Sequence, residues 1–131
     1  MGFIKQLKFM DYFSSKDGKL VERLSTKIIT SIVDADTLLF EQFKRIPQEN
    51  RCLYYFKNGL AKFYLTIHHQ EEILSLSNAE KIIGTYQFLT GQSFHFSCKS
   101  IDLSSVQKLY FSDFISIIET NKLMVFFTLL W

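Results

Sequence analysis

The sequence predicts a mainly β domain with flanking helices, built as an antiparallel barrel or jelly roll. Short apolar or alternating segments recur from Ile28 to Phe111, each closed by a polar or glycine-containing turn. Helical spacing of apolar residues is confined to the two ends of the chain, a division that suits a β-roll with terminal helices. The 131 residues include 14 Phe, 6 Tyr and 1 Trp against a single Pro. That ring area is enough for one core without disulfide or metal. The expectation is one domain over 1–131, helical over 1–27, a β-roll over 28–111 and helical again over 112–131.

Taken in order, Phe3, Ile4, Leu7, Met10 and Phe13 repeat at helical spacing and make one apolar face. Ser14 to Gly18 is turn chemistry that can cap the next element. Leu20, Val21 and Leu24 suit a short second helix. From Ile28 the β-branched residues Ile28, Ile29, Thr30, Ile32 and Val33 favour a strand, although the series Leu20, Leu24, Ile28, Ile32 also fits a longer helix. Leu38 to Phe40 is a short strand, and Gln42 to Asn50, with the lone Pro47, is the longest loop. Leu53–Phe56 and Leu60–Ile67 flank Lys57-Asn58-Gly59, a hairpin signal because Asn-Gly tolerates positive φ. His68 to Glu71 reads as a turn before Ile73 to Leu76. Phe94, Phe96 and Cys98 alternate with His95, Ser97 and Lys99 as a strand, Val106 to Phe111 forms another, and Ser112-Asp113 caps a last helix holding Phe114, Ile117 and Ile118.

Charge and composition narrow the function classes. With 15 Lys+Arg against 13 Asp+Glu the net charge is +2, and no basic cluster exceeds Lys44-Arg45, so direct nucleic-acid binding is not expected. No window approaches the roughly 20 apolar residues of a membrane span. The longest apolar run, Leu123 to Trp131, is interrupted by Thr128. Cys52 and Cys98 form no C-x-x-C pair, and Lys5, Lys8 and Asp11 argue against a signal peptide at the N-terminus. The reading is a reduced, cytoplasmic protein with both thiols buried as small hydrophobes.

His68-His69-Gln70-Glu71-Glu72 is the most metal-like stretch. A strand-borne metal site wants His-x-His, since alternate residues share a face and adjacent ones do not, so a solvated hairpin tip is expected and no metal. His95 and Cys98, three apart on a strand, also point to opposite faces. There is no G-x-S-x-G, no Walker-type loop and no G-x-G-x-x-G among the five glycines. A binding or sensing role, without cofactor, is therefore expected over catalysis. The stretch Ile82 to Phe96 is the most informative. It places Gly84 before a helix-sized segment, then a Gly91-Gln92 turn, then an aromatic strand. Such a connection can offer backbone N–H groups to an anion, although from the residues alone a plain structural crossover is the stronger reading.

Leu53-Tyr54-Tyr55-Phe56-Lys57-Asn58-Gly59-Leu60 with the strand Ala61–Leu65, then Glu72 to Leu76, then Gly84-Thr85-Tyr86-Gln87-Phe88-Leu89-Thr90-Gly91-Gln92-Ser93, together resemble the cyclic-nucleotide-binding domain of Crp/Fnr-type transcriptional regulators in a divergent form. The resemblance is densest over Cys52–Phe114 and weaker over Leu20–Phe40. It implies a double-stranded β-helix (jelly roll) with N-terminal helices and a C-terminal helix, and a binding cassette beginning at Gly84. Nucleotide binders of that family place a Glu directly after the cassette glycine for the ribose hydroxyl and an Arg near the next strand for the cyclic phosphate. Here those positions hold Thr85 and Phe94, or His95 in a register displaced by one. Burying a phosphate charge without a cation or full set of donors costs several kcal/mol. The expectation is a degenerate pocket, unlikely to bind cAMP or cGMP, whose candidate ligand-binding residues are Gly84, Thr85, Tyr86, Thr90, Ser93, Phe94 and His95.

Family regulators continue into a dimer helix and a helix-turn-helix domain. Here the residues to Trp131 supply no recognition helix, so no DNA-binding module is expected, and a truncated regulator without function is an alternative. The apolar tail predicts burial against the barrel or against a second copy, the latter giving a homodimer or heterodimer through the C-terminal helix, and the resemblance implies an unidentified small-molecule effector. The other class considered is a cupin-like small-molecule or metal-binding barrel enzyme.

Overall fold

A computed structural model describes residues 18–78 and 80–119. The helix expected at Phe3–Phe13 and the segment 120–131 lie outside the described residues. The elements run α1 (Gly18–Ser25), β1 (Ile29–Val33), β2 (Leu38–Phe40), a 3-10 turn (Gln48–Asn50), β3 (Cys52–Asn58), β4 (Ala61–Ile67), β5 (Gln70–Ser77), β6 (Lys81–Ile83), α2 (Thr85–Thr90), β7 (Ser97–Ser100), β8 (Ser104–Tyr110) and α3 (Phe111–Glu119). Two antiparallel four-stranded sheets, ordered β1-β8-β3-β6 and β2-β7-β4-β5, face each other as a jelly roll. Mainly β architecture with flanking helices is thus what the chain adopts.

Strand β3 explains how the molecule holds together. Cys52, Leu53, Tyr54, Tyr55 and Phe56 are all buried, because both faces of this strand are covered. Leu53 and Tyr55 point outward into a helical cluster with Leu24 of α1, Phe88 of α2, Leu109 of β8, and Phe114 and Ile117 of α3. Cys52, Tyr54 and Phe56 point into the roll, against Phe40, Ile83, Phe94, Cys98 and Val106. The period of two along a strand divides one apolar run between two cores. This ties the helices to the sheet at the place where the candidate cassette joins it.

Turns sit where local chemistry allows them. Gly59 has φ +111, and a Cβ there would collide with Oγ of Ser104, so the hairpin between β3 and β4 needs glycine for conformation and for space. His68 and His69 form the next hairpin as a two-residue turn with φ 51 and 67. Both positive values match the turn type whose twist suits antiparallel strands. Strand β5 therefore begins at Gln70, earlier than the sequence suggests. On β4, Ala61 packs in the inner core with Phe63 against it, while the ammonium groups of Lys62 and Lys99 lie 5.1 and 5.3 Å from the Tyr64 ring centroid.

Three expectations are corrected in detail. Phe94–Phe96 is not strand; β7 starts at Ser97, and its buried Ser97 and Ser100 hydroxyls accept hydrogen bonds from the amides of Gln42 and Thr37. Side chain–to–backbone bonds there replace the simple alternation. Helix α3 starts directly from β8 at Phe111, so Ser112 and Asp113 occupy its first turn instead of preceding it. The loop after β2 contains a helical turn, closed by the Asn50 amide donating to the Pro47 carbonyl at 2.9 Å.

Candidate functional site

The cassette region is built around Gly84. This residue follows β6 and precedes α2 with φ +90, a left-handed conformation that an L side chain adopts only with strain. A Cβ on Gly84 would lie 2.8 Å from Cζ of Phe94, so the glycine also makes room for that ring. Phe94 is 2% exposed. Its ring stacks on Phe40 at 3.6 Å with an interplanar angle of 15°, and meets Phe96 edge-on at 5.9 Å. Phe63 continues the row, edge to Phe96 at 5.7 Å. The ring at the predicted phosphate-pairing position thus packs against the cassette glycine.

The seven predicted residues are not one cluster. Gly84 and Phe94 are in contact. The Thr90 hydroxyl donates to the Tyr86 carbonyl at 2.8 Å and accepts from the Gln92 amide at 3.2 Å, so it serves the end of α2. Tyr86 is exposed, Thr85 and Ser93 are half-buried, and His95 is exposed beside the Phe43 ring at 5.8 Å.

Two hollows flank this aromatic row. An open recess of about 570 Å³ lies between β5 and the β6–Gly84 corner, with Phe63 and Phe96 as its floor. Of the seven residues only Gly84 lines it. A smaller cavity of about 160 Å³ lies on the other side, bounded by Phe40, Phe94, Cys52, Tyr54 and Arg51. Phe40 and Phe94 line only the second and Phe63 and Phe96 only the first, so the row of rings stands between them.

Arg51 is the residue that sequence reasoning missed. Its Nε donates to the Phe88 carbonyl at 2.6 Å and its Nη2 to the Leu89 carbonyl at 2.7 Å. The guanidinium also lies 3.5 Å over the Phe111 ring. These carbonyls at the end of α2 lack full intrahelical partners, and a planar fork of donors satisfies two at once. Partial burial holds the Arg51 pKa below its ordinary value. Nothing in the local spacing marks it, because its partners are 37 and 38 residues away.

Among the described residues the cation lining the recess is Lys81, and no carboxylate lines it. Desolvation pushes the Cys98 thiol up to about 12 and raises that of Cys52 as well, which fits the inert role expected of both. Among the described residues no group of three or more His, Cys, Asp or Glu could hold a metal ion. Among them, too, every buried side-chain N or O has a hydrogen-bond partner, so no interior polar group is left waiting for a ligand. No described helix is long and apolar enough to cross a membrane.

No protein-family model matches the chain, and no curated protein matches it in sequence. Solved structures do resemble it in fold. A cyclic nucleotide-binding-like protein from Brucella abortus superimposes with a TM-score of 0.71 at 15% identity, over 82% of this chain and 90% of that one. The regulatory domain of Toxoplasma gondii PKA, crystallised with cAMP, gives 0.66 at 18% identity, over 80% of this chain and 39% of its own. The catabolite activator protein of Thermus thermophilus gives 0.65 at 15% identity, over 92% of this chain and 51% of its own. The chain therefore spans about half or less of the length of the latter two. At such identities the likeness concerns architecture: this chain carries the cyclic-nucleotide-binding-domain jelly roll, with Phe94 packed against Gly84.

Proposed function

We propose that this chain is a non-enzymatic sensor domain of the Crp/Fnr kind whose pocket has lost the ability to hold a cyclic nucleotide. One observation carries the reading: the Phe94 ring, buried and stacked on Phe40, abuts Gly84 where an anion-pairing side chain is expected. Arg51 does not compensate, since its guanidinium is engaged with the end of α2. Lys81 lines the recess without an ion pair among the described residues, and it is exposed to water, where a charge contributes little. The candidate residues Thr85, Tyr86, Thr90, Ser93 and His95 would supply neutral or surface donors only.

Helices α2 and α3 carry no Lys or Arg, which supports sensing over groove reading for the described part. Free, buried Cys52 and Cys98 support work in the reducing cytoplasm. Pairing with a second copy or a relative through the C-terminal segment belongs to the same proposal. Light scattering at high concentration should show dimer, and monomer alone would remove that part.

Thermal unfolding tests the nucleotide claim. A ligand present at a hundred times its Kd stabilises by about 2.7 kcal/mol, roughly a 10 °C rise in Tm for a domain of this size. Millimolar cAMP and cGMP should each leave Tm unchanged within a degree. A rise of several degrees would mean that the site still takes nucleotide.

A further inference from the structure

We propose that the recess between β5 and Gly84 binds a small amphipathic organic anion, with an aromatic or branched apolar body and a single carboxylate or sulfonate directed to Lys81. The inference rests on the reading that this recess does not take cyclic nucleotides.

Apolar side chains dominate the lining. Phe63 and Phe96 cross edge to face at 81°, and Ile83 lines the recess with them. Wet apolar surface in a concave site is the main driving force for small-molecule binding, and about 570 Å³ lies within the usual range of roughly 300–1,000 Å³ for such sites. The lining comes from both sheets, with Phe63 and its β5 neighbours Ser75 and Ser77 on one side and Lys81 and Ile83 on the other. A compact ligand between them touches both, whereas a strand added to the edge of β5 would reach only one.

Charge selects the head group. Among the described residues Lys81 is the cation of the lining, no Asp or Glu lines the recess, and Lys81 has no ion pair. Ser75 and Ser77 add hydroxyl donors. One negative charge near solvent is thus matched, while a phosphodiester driven inward against Phe94 is not.

Two dyes that differ only in the acid test this on the full chain: 8-anilinonaphthalene-1-sulfonate, and its neutral counterpart N-phenyl-1-naphthylamine. Both should bind at one site with micromolar affinity. Lys81→Gln should weaken the sulfonate roughly fivefold, an exposed-pair effect, and leave the neutral dye unchanged. Ser75→Trp, on an exposed edge strand, should remove both while the urea midpoint holds. Absent binding, binding that survives Ser75→Trp, or equal responses of the two dyes to Lys81→Gln would each overturn the proposal. Displacement of the dyes by cAMP would instead overturn the loss of nucleotide binding and leave the recess as the site.

Discussion

At Gly84 the backbone stands at φ +90 with the Phe94 ring against its Cα, so conformation and space both demand glycine. Gly84→Ala adds a strained left-handed residue, costing roughly 1–3 kcal/mol, and forces the ring to move. We expect the unfolding free energy from urea titration to fall by that amount, with unchanged slope and a lower midpoint; a variant as stable as the parent would show that the two residues are not in contact. Part of this geometry was legible in the sequence, since Gly84 before a helix-sized segment places α2 and the apolar alternation at Phe94 marks an inward-facing ring. Thr90 was not legible. Its hydroxyl serves the end of α2, a local use that a motif match does not reveal. Arg51 was hidden for the opposite reason, as its partners lie far along the chain.

Among elements, α2 is short and depends on what holds its ends. Its last carbonyls take two hydrogen bonds from Arg51, which also stacks on Phe111 at the start of α3. Lysine cannot reproduce a planar fork. Arg51→Lys should cost about 2 kcal/mol and speed amide exchange across α2 more than across β3. Equal exchange in both would mean that the cap does not hold the helix. The second sheet is braced differently, by Glu71 of β5 at 2.5 Å from Lys62 of β4 and 3.1 Å from Lys99 of β7. Hydrogen bonds from Lys62 and then Lys99 hold the Glu71 carboxyl below its ordinary value, and the bond to Glu71 raises Lys99 above its own. A depressed carboxyl stabilises the folded state above its unfolded pKa, near 4.5. That contribution is lost as pH falls through the folded value. The raised ammonium acts at the other end, fully below its unfolded pKa of 10.5 and lost as pH climbs through the folded one. Hence parent and Glu71→Gln should differ in urea midpoint at pH 7 and draw together as pH falls below 4.5; a gap that stays constant from pH 7 into acid would contradict this. Strand positions were readable from alternation and turn residues, whereas the irregular run 94–96 was not. Its aromatic alternation is that of a strand, but its rings pack inward without ladder partners.

For the molecule as a whole, the two cores divided by β3 account for the fold: one fills the roll, the other fastens the helices to its outer face. A continuous apolar run at Leu53–Phe56 showed that this strand is buried, but not that its two faces serve different cores. The jelly roll itself was foreseeable from short strands between terminal helices, and its likeness to nucleotide-binding domains from the order of the hairpin, the following strand and the cassette. The proposal rests on a change of chemistry within that frame, an aromatic ring where an anion's partner is expected. Isothermal titration calorimetry with cAMP addresses that most directly. The account predicts heats of dilution alone up to millimolar nucleotide; a saturable isotherm with a Kd in the micromolar range or below would contradict it.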